Sequence, residues 1–208
     1  MIGLYLTYLP DTEPPVPEEL LSLYRREKLS RQTNGLVRRQ SLLSELLLRH
    51  ALRESGLVLP AALELRTGEY RKPYLADGSF FFSLSHSGNA VLCAVGEREL
   101  GADIQLRTPF NEAMLHRFFA PEERDFVLAA SDRDAAYTEI WTEKESYIKA
   151  AGRGFTLPLA SFSVLDRAIA ARLRHGTAGD CHVSVCSDAD ALPERIDCIR
   201  VENSALLG

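Results

Sequence analysis

The sequence is poor in cysteine for its length. Its 208 residues contain four cysteines, at Cys93, Cys181, Cys186 and Cys198. A disulfide framework needs a dense set of cysteines, so we interpret these residues as free thiols in a reducing cytoplasm. Cys181, His182 and Cys186 lie close together, but no second Cys or His pair follows at the spacing of a zinc site.

The sequence also lacks a long apolar run and an excess of positive charge. The apolar N-terminal segment MIGLYLTYLP has no basic leader and reaches Pro10 and Asp11 too early for a signal peptide or a membrane span, so it predicts a first strand. A net charge of −5 argues against a general affinity for nucleic acid or anionic membranes. The protein is therefore expected to be cytoplasmic, with neither nucleic acid nor membrane as a partner.

The charge is distributed unevenly along the chain. Residues 25–39 carry six basic residues against one acid, whereas residues 97–145 carry twelve acids against six basic residues. This pattern suits a ligand that carries phosphates and needs a metal, although solvated helix faces explain either cluster alone.

Two cycles of helices followed by strands are predicted. The first has a helix after Pro17, a long helix from Asn34 to Gly56, and strands in AALELR, FFFSL, AVLCAVG and LGADIQL, with a turn at residues 86–89. The second has a helix that opens at residue 120, a longer helix that ends at Gly152, and strands in SFSVL, CHVSVC and RIDCIRV. The expected class is α+β, with halves at residues 1–101 and 102–208 and the site between them.

The long helix of the second half places charged residues on one face. Trp141, Glu145 and Lys149 are four residues apart, so their side chains share that face, with Lys144 beside them. When this helix is taken alone, a routine surface ion pair between Glu145 and Lys149 is the better explanation.

An acid within a predicted strand favours a metal site. Asp103 lies in the apolar stretch ELGADIQL, where a buried carboxylate needs a partner. Asp103 and Gln105 point to the same side of a strand and offer oxygen ligands to a hard cation such as Mg²⁺, and Glu145 could complete the set.

A third pattern is FSLSHSGN, in which a strand ends in hydroxyl residues, a histidine and a glycine. Hydroxyl groups, turn amides and an imidazole can hold phosphate oxygens. A turn rich in Ser and Gly needs no ligand, however, and this segment taken alone favours that simpler interpretation.

Six blocks of the sequence resemble the Sfp-type 4′-phosphopantetheinyl transferases, in the order and spacing of that family. They are YRREK (24–28), RKPYL (71–75), FFSLSHSGNAVLCAV (81–95), GADIQ (101–105), RFFAPEE (117–123) and WTEKESYIKAAGRGFTLPLASFSV (141–164). The resemblance implies a monomeric pseudo-dimer of two α+β halves with coenzyme A (CoA) and Mg²⁺, or alternatively Mn²⁺, in the cleft. It implies transfer of phosphopantetheine from CoA to a serine of an apo acyl, polyketide or peptidyl carrier protein, with release of 3′,5′-ADP.

The resemblance also assigns residues by position. Asp103, Gln105 and Glu145 would bind the metal, although Gln105 stands where the bacterial pattern has an acid. CoA would be bound by Arg25, Lys28, Lys72, Ser85, His86, Lys144 and Lys149. Catalysis would fall to Glu145, Lys149 and Glu123, with Glu145 or Glu123 as the base. Arg38, Arg39 and Gln40 are the candidates for one further CoA contact.

Two competing functions remain open at this point. One is a metal-dependent phosphohydrolase that cleaves ADP-containing molecules with the same acids and lysines. The other is a non-catalytic CoA-binding module in which Gln105 marks the loss of activity.

Overall fold

The structure is a computed structural model that describes residues 2–206, apart from the side chain of Phe155. The strands are β1 (Gly3–Tyr8), β2 (Leu65–Thr67), β3 (Pro73–Leu75), β4 (Phe81–Ser87), β5 (Ala90–Gly96), β6 (Leu100–Leu106), β7 (Leu173–Ala178), β8 (Cys181–Ser187) and β9 (Ile199–Arg200). The helices are α1 (Leu23–Ser30), α2 (Gly35–Glu54), α3 (Glu112–Phe118), α4 (Pro121–Ala129), α5 (Arg133–Ala151) and α6 (Arg167–Ala170). None of the described helices is long and apolar enough to cross a membrane.

The expected α+β class is confirmed by two main sheets with helices on their outer faces. One sheet has the strand order β4-β5-β1-β9, and the other has the order β6-β8-β7. The inner faces of the two sheets pack together through small and branched side chains such as Leu92, Ala102 and Val185. Helix α2 covers the outer face of the first sheet, and α3, α4 and α5 cover that of the second. The cavity described below opens beside this packing of helices and sheets.

The two long helices begin and end where their capping residues predict. The Asn34 side chain accepts hydrogen bonds from the first turn of α2, and Gly56, just past its end, has a φ of 86°. Helix α5 ends at Gly152, which has a φ of 64° and donates its amide to the Ile148 carbonyl. These positive φ values favour glycine, so the two glycines determine where α2 and α5 end.

Four predicted elements differ from the structure. In AALELR only the last two residues belong to a strand, β2. The predicted first helix is divided in two: a 3-10 turn at Glu18–Leu20 comes first, and α1 follows it. SFSVL was predicted as a strand, and this prediction is wrong: it forms turns, because the Val164 amide and the Phe162 carbonyl bond to buried side chains. In RIDCIRV only Ile199–Arg200 is a strand, and it pairs in parallel with β1, in the sheet of the first half.

Serines of β4 join the two sheets along the edge of β6. Ser83, Ser85 and Ser87 alternate on β4 and therefore point to one side. The Ala102 amide donates to the Ser83 hydroxyl at 2.9 Å, and the Leu106 amide donates to the Ser87 hydroxyl at 2.9 Å. These hydroxyls satisfy backbone groups of an edge strand and hold Ser85 against the Asp103 side chain.

Helix α5 crosses β6 in backbone contact at Gly101. A Cβ atom at this position would overlap the Ser146 carbonyl oxygen and the Ala150 amide nitrogen. Only glycine allows this approach. The crossing brings Lys149 of the helix next to Asp103 of the strand.

Candidate active site

A cavity of about 300 Å³ lies between the first-half elements α1, α2 and β4 and the helix α5. The turn between β2 and β3 forms a further wall through residues 70–73. Basic residues are common in its lining, which includes Arg25, Lys28, Arg71, Lys72, His86 and Lys149. This lining suits an anionic ligand.

Asp103 joins the two halves of the site. Its Oδ1 accepts a hydrogen bond of 2.6 Å from the Ser85 hydroxyl and an ion-pair hydrogen bond of 2.6 Å from the Lys149 ammonium. The Asp103 side chain is 8% exposed and that of Lys149 is 27% exposed. The structure thus brings together three of the predicted site residues, with Asp103 and Ser85 beneath the cavity wall that Lys149 forms.

Glu145 lines the cavity one helical turn before Lys149. Burial raises the pKa of the Glu145 carboxyl, and the nearby negative charge of Asp103 raises it further, while Lys149 opposes these effects. Two carboxylates that repel each other at a cavity wall are the donor arrangement that a divalent cation stabilises.

The donor set accordingly fits a hard cation through two carboxylates. In residues 2–206, no group of three or more His, Cys, Asp or Glu side chains is arranged to hold a metal. The Gln105 side chain is absent from the cavity lining, and its amide nitrogen donates to the Leu106 carbonyl and the Thr108 hydroxyl. Any cation here would therefore rely on Asp103 and Glu145, with substrate oxygens or water to complete its shell.

Lys72 fixes one wall of the cavity. Its ammonium donates to the Leu100 carbonyl at 2.9 Å and to the Lys149 carbonyl in the last turn of α5 at 2.7 Å. A cation at the C-terminus of a helix is favoured by the helix dipole. Burial lowers the pKa of Lys72. Lys72 thus ties the turn between β2 and β3 to the start of β6 and the end of α5.

Arg25, Lys28 and His86 also line the cavity. Arg25 is 2% exposed, and it donates to the Glu45 carboxylate at 3.1 Å and to the Ser41 hydroxyl at 2.8 Å. Partial burial lowers the pKa of Lys28, and the positive charge of Arg25 lowers it further. Burial lowers the pKa of His86, and the positive charges of Lys28 and Lys149 lower it further. An anion bound in the cavity would favour the charged form of both groups.

Comparison with known proteins identifies the family. Residues 99–196 match the model of the 4′-phosphopantetheinyl transferase superfamily. A 4′-phosphopantetheinyl transferase of Bacillus subtilis is 36% identical over 147 residues, which cover 69% of this chain and 66% of the relative. The chain belongs to the Sfp-type phosphopantetheinyl transferase family.

Two further relatives agree with this assignment. The 4′-phosphopantetheinyl transferase Sfp of Bacillus subtilis (strain 168) is 34% identical over 148 residues, covering 69% of this chain and 66% of the relative. The 4′-phosphopantetheinyl transferase HetI of Nostoc is 37% identical over 92 residues, covering 40% of this chain and 39% of the relative. The chain thus spans just under two thirds of the two Bacillus relatives that it matches.

Like Ser85, Asp103 and Gln105, two further residues that the family resemblance assigned to the site lie outside the cavity lining. The Lys144 ammonium donates to the Glu123 carboxylate at 2.6 and 2.8 Å and to the Phe162 carbonyl at 2.8 Å, and both side chains are 0% exposed. Glu123 also accepts from the Ala120 and Val164 amides. The expectation that Lys144 contacts CoA and that Glu123 acts in catalysis stays a prediction, and in this structure both side chains are buried and bonded to protein groups.

The three candidates for a further CoA contact also bond elsewhere. Gln40 donates to the Gly88 carbonyl, Arg38 to Glu13 and to the Leu29 carbonyl, and Arg39 to the Pro10 and Asp11 carbonyls. These residues brace α2 against its surroundings, and the cavity lining includes none of them.

Sequence reasoning assigned no role to several residues that line the cavity. Tyr24, Ser41, Ser44, Tyr70 and Arg71 are examples. Tyr24 and Arg71 lie inside blocks that resemble the family, so that position was a usable signal for these two. Ser41 and Ser44 lie on α2, where a serine within a helix carries no local mark of a ligand site.

Proposed function

We propose that this protein transfers the 4′-phosphopantetheine group of CoA to a serine hydroxyl of an apo carrier protein and releases 3′,5′-ADP. The observation that carries the proposal is the cavity, where Glu145 and Lys149 lie within a mainly basic lining and Lys149 bonds to Asp103 behind it. Membership of the transferase family agrees with this chemistry.

The substrate would lie along α5. Lys149 and His86 line the cavity and would contact the diphosphate of CoA, and Lys28 lines the same cavity. Ser85 supports this arrangement indirectly, because its hydroxyl orients Asp103 toward Lys149. Charge-assisted hydrogen bonds from these groups would fix the phosphates without any covalent chemistry by the protein.

Asp103 and Glu145 are the residues that would hold Mg²⁺, or alternatively Mn²⁺. The cation would offset negative charge on the transferring phosphate. Gln105 bonds outside the cavity lining, so we propose that it acts at most through water.

Glu145 and Lys149 would have separate roles in the reaction. Glu145 is the proposed base that accepts the proton of the carrier serine as its oxygen attacks the β-phosphorus of CoA. The new bond joins the serine oxygen to phosphorus, and the bond from phosphorus to the bridging oxygen breaks. Lys149 is positioned to stabilise the charge that develops on the departing 3′,5′-ADP.

Finer features of the protein are also proposals. They are a pseudo-dimeric arrangement with halves at residues 1–101 and 102–208, a monomeric state, a cytoplasmic location, and a partner that is a carrier protein and neither nucleic acid nor membrane. The outward-facing helices on two packed sheets support the pseudo-dimeric arrangement. The net charge of −5 supports a partner that is neither nucleic acid nor membrane.

Intact-protein mass spectrometry of an apo carrier, incubated with the protein, CoA and Mg²⁺, tests the function. We expect a gain of one phosphopantetheine that EDTA abolishes. Glu145→Gln should reduce turnover by at least about a hundredfold, the usual scale for loss of a general base. Glu139→Gln is the matched control, because Glu139 lies on the same helix but outside the cavity lining.

Three outcomes would contradict this proposal. CoA cleavage without any carrier would indicate the phosphohydrolase. CoA binding without transfer to fatty-acid, polyketide or peptide carriers would indicate the non-catalytic module. Full activity of Glu145→Gln would remove this residue from the mechanism.

A further inference from the structure

Helix α5 lies across a row of polar side chains on the second sheet. Asp103 of β6 stands directly opposite Ser184 of β8, and Ser184 stands directly opposite His175 of β7. Residues that stand opposite each other on neighbouring strands point to the same face of the sheet. The three side chains therefore form one row, which we call the polar row, with Asp103 at the end beside the cavity and His175 at the other end.

Each member of the polar row bonds to its own residue on α5. The Lys149 ammonium donates to Asp103 at 2.6 Å, the Ser146 and Ser184 hydroxyl oxygens lie 2.9 Å apart, and His175 Nδ1 lies 2.5 Å from the Glu143 carboxylate. Three residues of helix rise by about 4.5 Å, which is close to the spacing of about 4.8 Å between neighbouring strands. The helix thus makes one polar contact with each strand of the sheet.

The neighbouring row of the same sheet is apolar. It consists of Gly101, Cys186 and Leu173. Gly101 sets how closely α5 approaches, and the other two side chains belong to the hydrophobic core beneath the helices. Apolar contacts have no preferred direction, whereas hydrogen bonds do. The apolar row therefore fixes the distance of α5 from the sheet, and the polar row fixes the rotation of α5 about its own axis.

The contact between Ser146 and Ser184 is the buried centre of the polar row. Both serines are 0% exposed, whereas the His175 side chain is 51% exposed and that of Lys149 is 27% exposed. The Ser146 hydroxyl donates its one hydrogen to the Glu143 carbonyl, so Ser184 is the donor in the contact between the serines. A hydrogen bond is stronger where water is excluded, so this contact restrains the helix most.

We propose that Ser184 is a positioning residue for the transfer reaction, and that its hydrogen bond to Ser146 holds α5 at the rotation that presents Glu145 and Lys149 to the cavity. This inference rests on the proposed function, in which Glu145 is the base and Lys149 stabilises the leaving group. Ser184 is absent from the cavity lining and acts through the helix. Displacement of a reacting group by about 1 Å can slow a reaction by about a hundredfold, so a small rotation of α5 is enough to matter.

The test compares Ser184→Ala with Ser187→Ala in the whole chain, with an apo carrier, CoA and Mg²⁺. Ser187 lies on the same strand and is also 0% exposed, but its hydroxyl donates to the Glu99 carbonyl and not to α5. Each variant loses one buried hydrogen bond, so the midpoints of urea unfolding should shift by similar amounts. We expect kcat to fall by about ten- to one-hundredfold in Ser184→Ala and by less than about twofold in Ser187→Ala.

Two further measurements separate positioning from a general loss of binding or structure. In calorimetric titrations, the Kd of CoA should stay within about threefold of the wild-type value in Ser184→Ala, because Arg25, Lys28 and His86 of the cavity lining lie outside α5. A double variant that combines Ser146→Ala with Ser184→Ala should have the same kcat as Ser146→Ala alone, because the two hydroxyls form a single contact.

Three outcomes would overturn this inference and leave the proposed function standing. They are a kcat for Ser184→Ala within about twofold of the wild type, a loss of kcat equal to that of Ser187→Ala, and additive losses in the double variant. Failure of the wild type to modify any carrier would instead overturn both proposals.

Discussion

Two lysine–carboxylate pairs on helix α5 have the same bond length and opposite surroundings. In each pair an ammonium donates to a carboxylate at 2.6 Å. Lys144 and Glu123 are 0% exposed, whereas Lys149 is 27% exposed beside the cavity and Asp103 is 8% exposed. Distance alone therefore does not separate a pair enclosed by the protein from a pair beside the cavity.

The difference lies in what completes each pair. The Glu123 oxygens accept hydrogen bonds from Lys144 and from two backbone amides, and the Lys144 ammonium also donates to the Phe162 carbonyl. Lys149 faces a cavity and has Glu145 one turn away. A closed set of bonds resists change, whereas an open set can exchange a protein partner for a ligand.

Lys144→Met should give the largest loss of stability. It leaves Glu123 buried without its cation, and breaking a buried pair costs about 3–5 kcal/mol. Urea unfolding followed by circular dichroism measures the change. Lys149→Met is the matched control at the more exposed pair, and an equal loss in both variants would contradict the distinction.

Lys149→Met should have the opposite profile. We expect carrier modification to slow by about 10²–10³-fold, as for removal of a group that stabilises developing charge. The free energy of unfolding should fall by only about 1 kcal/mol, because the pair is partly solvated. Mass-spectrometric rates and urea unfolding on the same preparation test both parts. Wild-type turnover would show that Lys149 does not act on the leaving group.

A third acid–base pair on α5 extends the comparison to a still more exposed site. His175 is 51% exposed, and its Nδ1 lies 2.5 Å from the Glu143 carboxylate, whose hydrogen bond and charge raise the pKa of the imidazole. A raised pKa stabilises the fold below the ordinary value near 6.5, and this contribution is lost as the pH rises through the pKa of the folded state.

His175→Gln should therefore destabilise the protein by about 0.5 kcal/mol at pH 6 and by less at pH 9. Urea unfolding of wild type and variant at the two pH values measures the difference. A loss that is the same at both pH values would mean that packing, and not charge, accounts for the effect.

Sequence reasoning predicted the elements that carry the site, but it did not predict which side of a helix other elements cover. Spacing placed Glu145 and Lys149 on one face of α5, and both line the cavity. Lys144 is adjacent in sequence, yet α4 and residues 162–164 enclose it. That enclosure depends on tertiary packing, and the same packing turned SFSVL away from a strand by engaging its backbone groups.

The close approach at Gly101 means that the acid and the ammonium of the site are held in register by main chain. Asp103 is two residues beyond Gly101, and Lys149 is itself one of the three residues of α5, with Ser146 and Ala150, whose backbone meets that glycine. Main-chain atoms cannot change rotamer or be exchanged for a different size. The hydrophobic cores on either side can therefore diverge in sequence while the spacing between Asp103 and Lys149 stays constant.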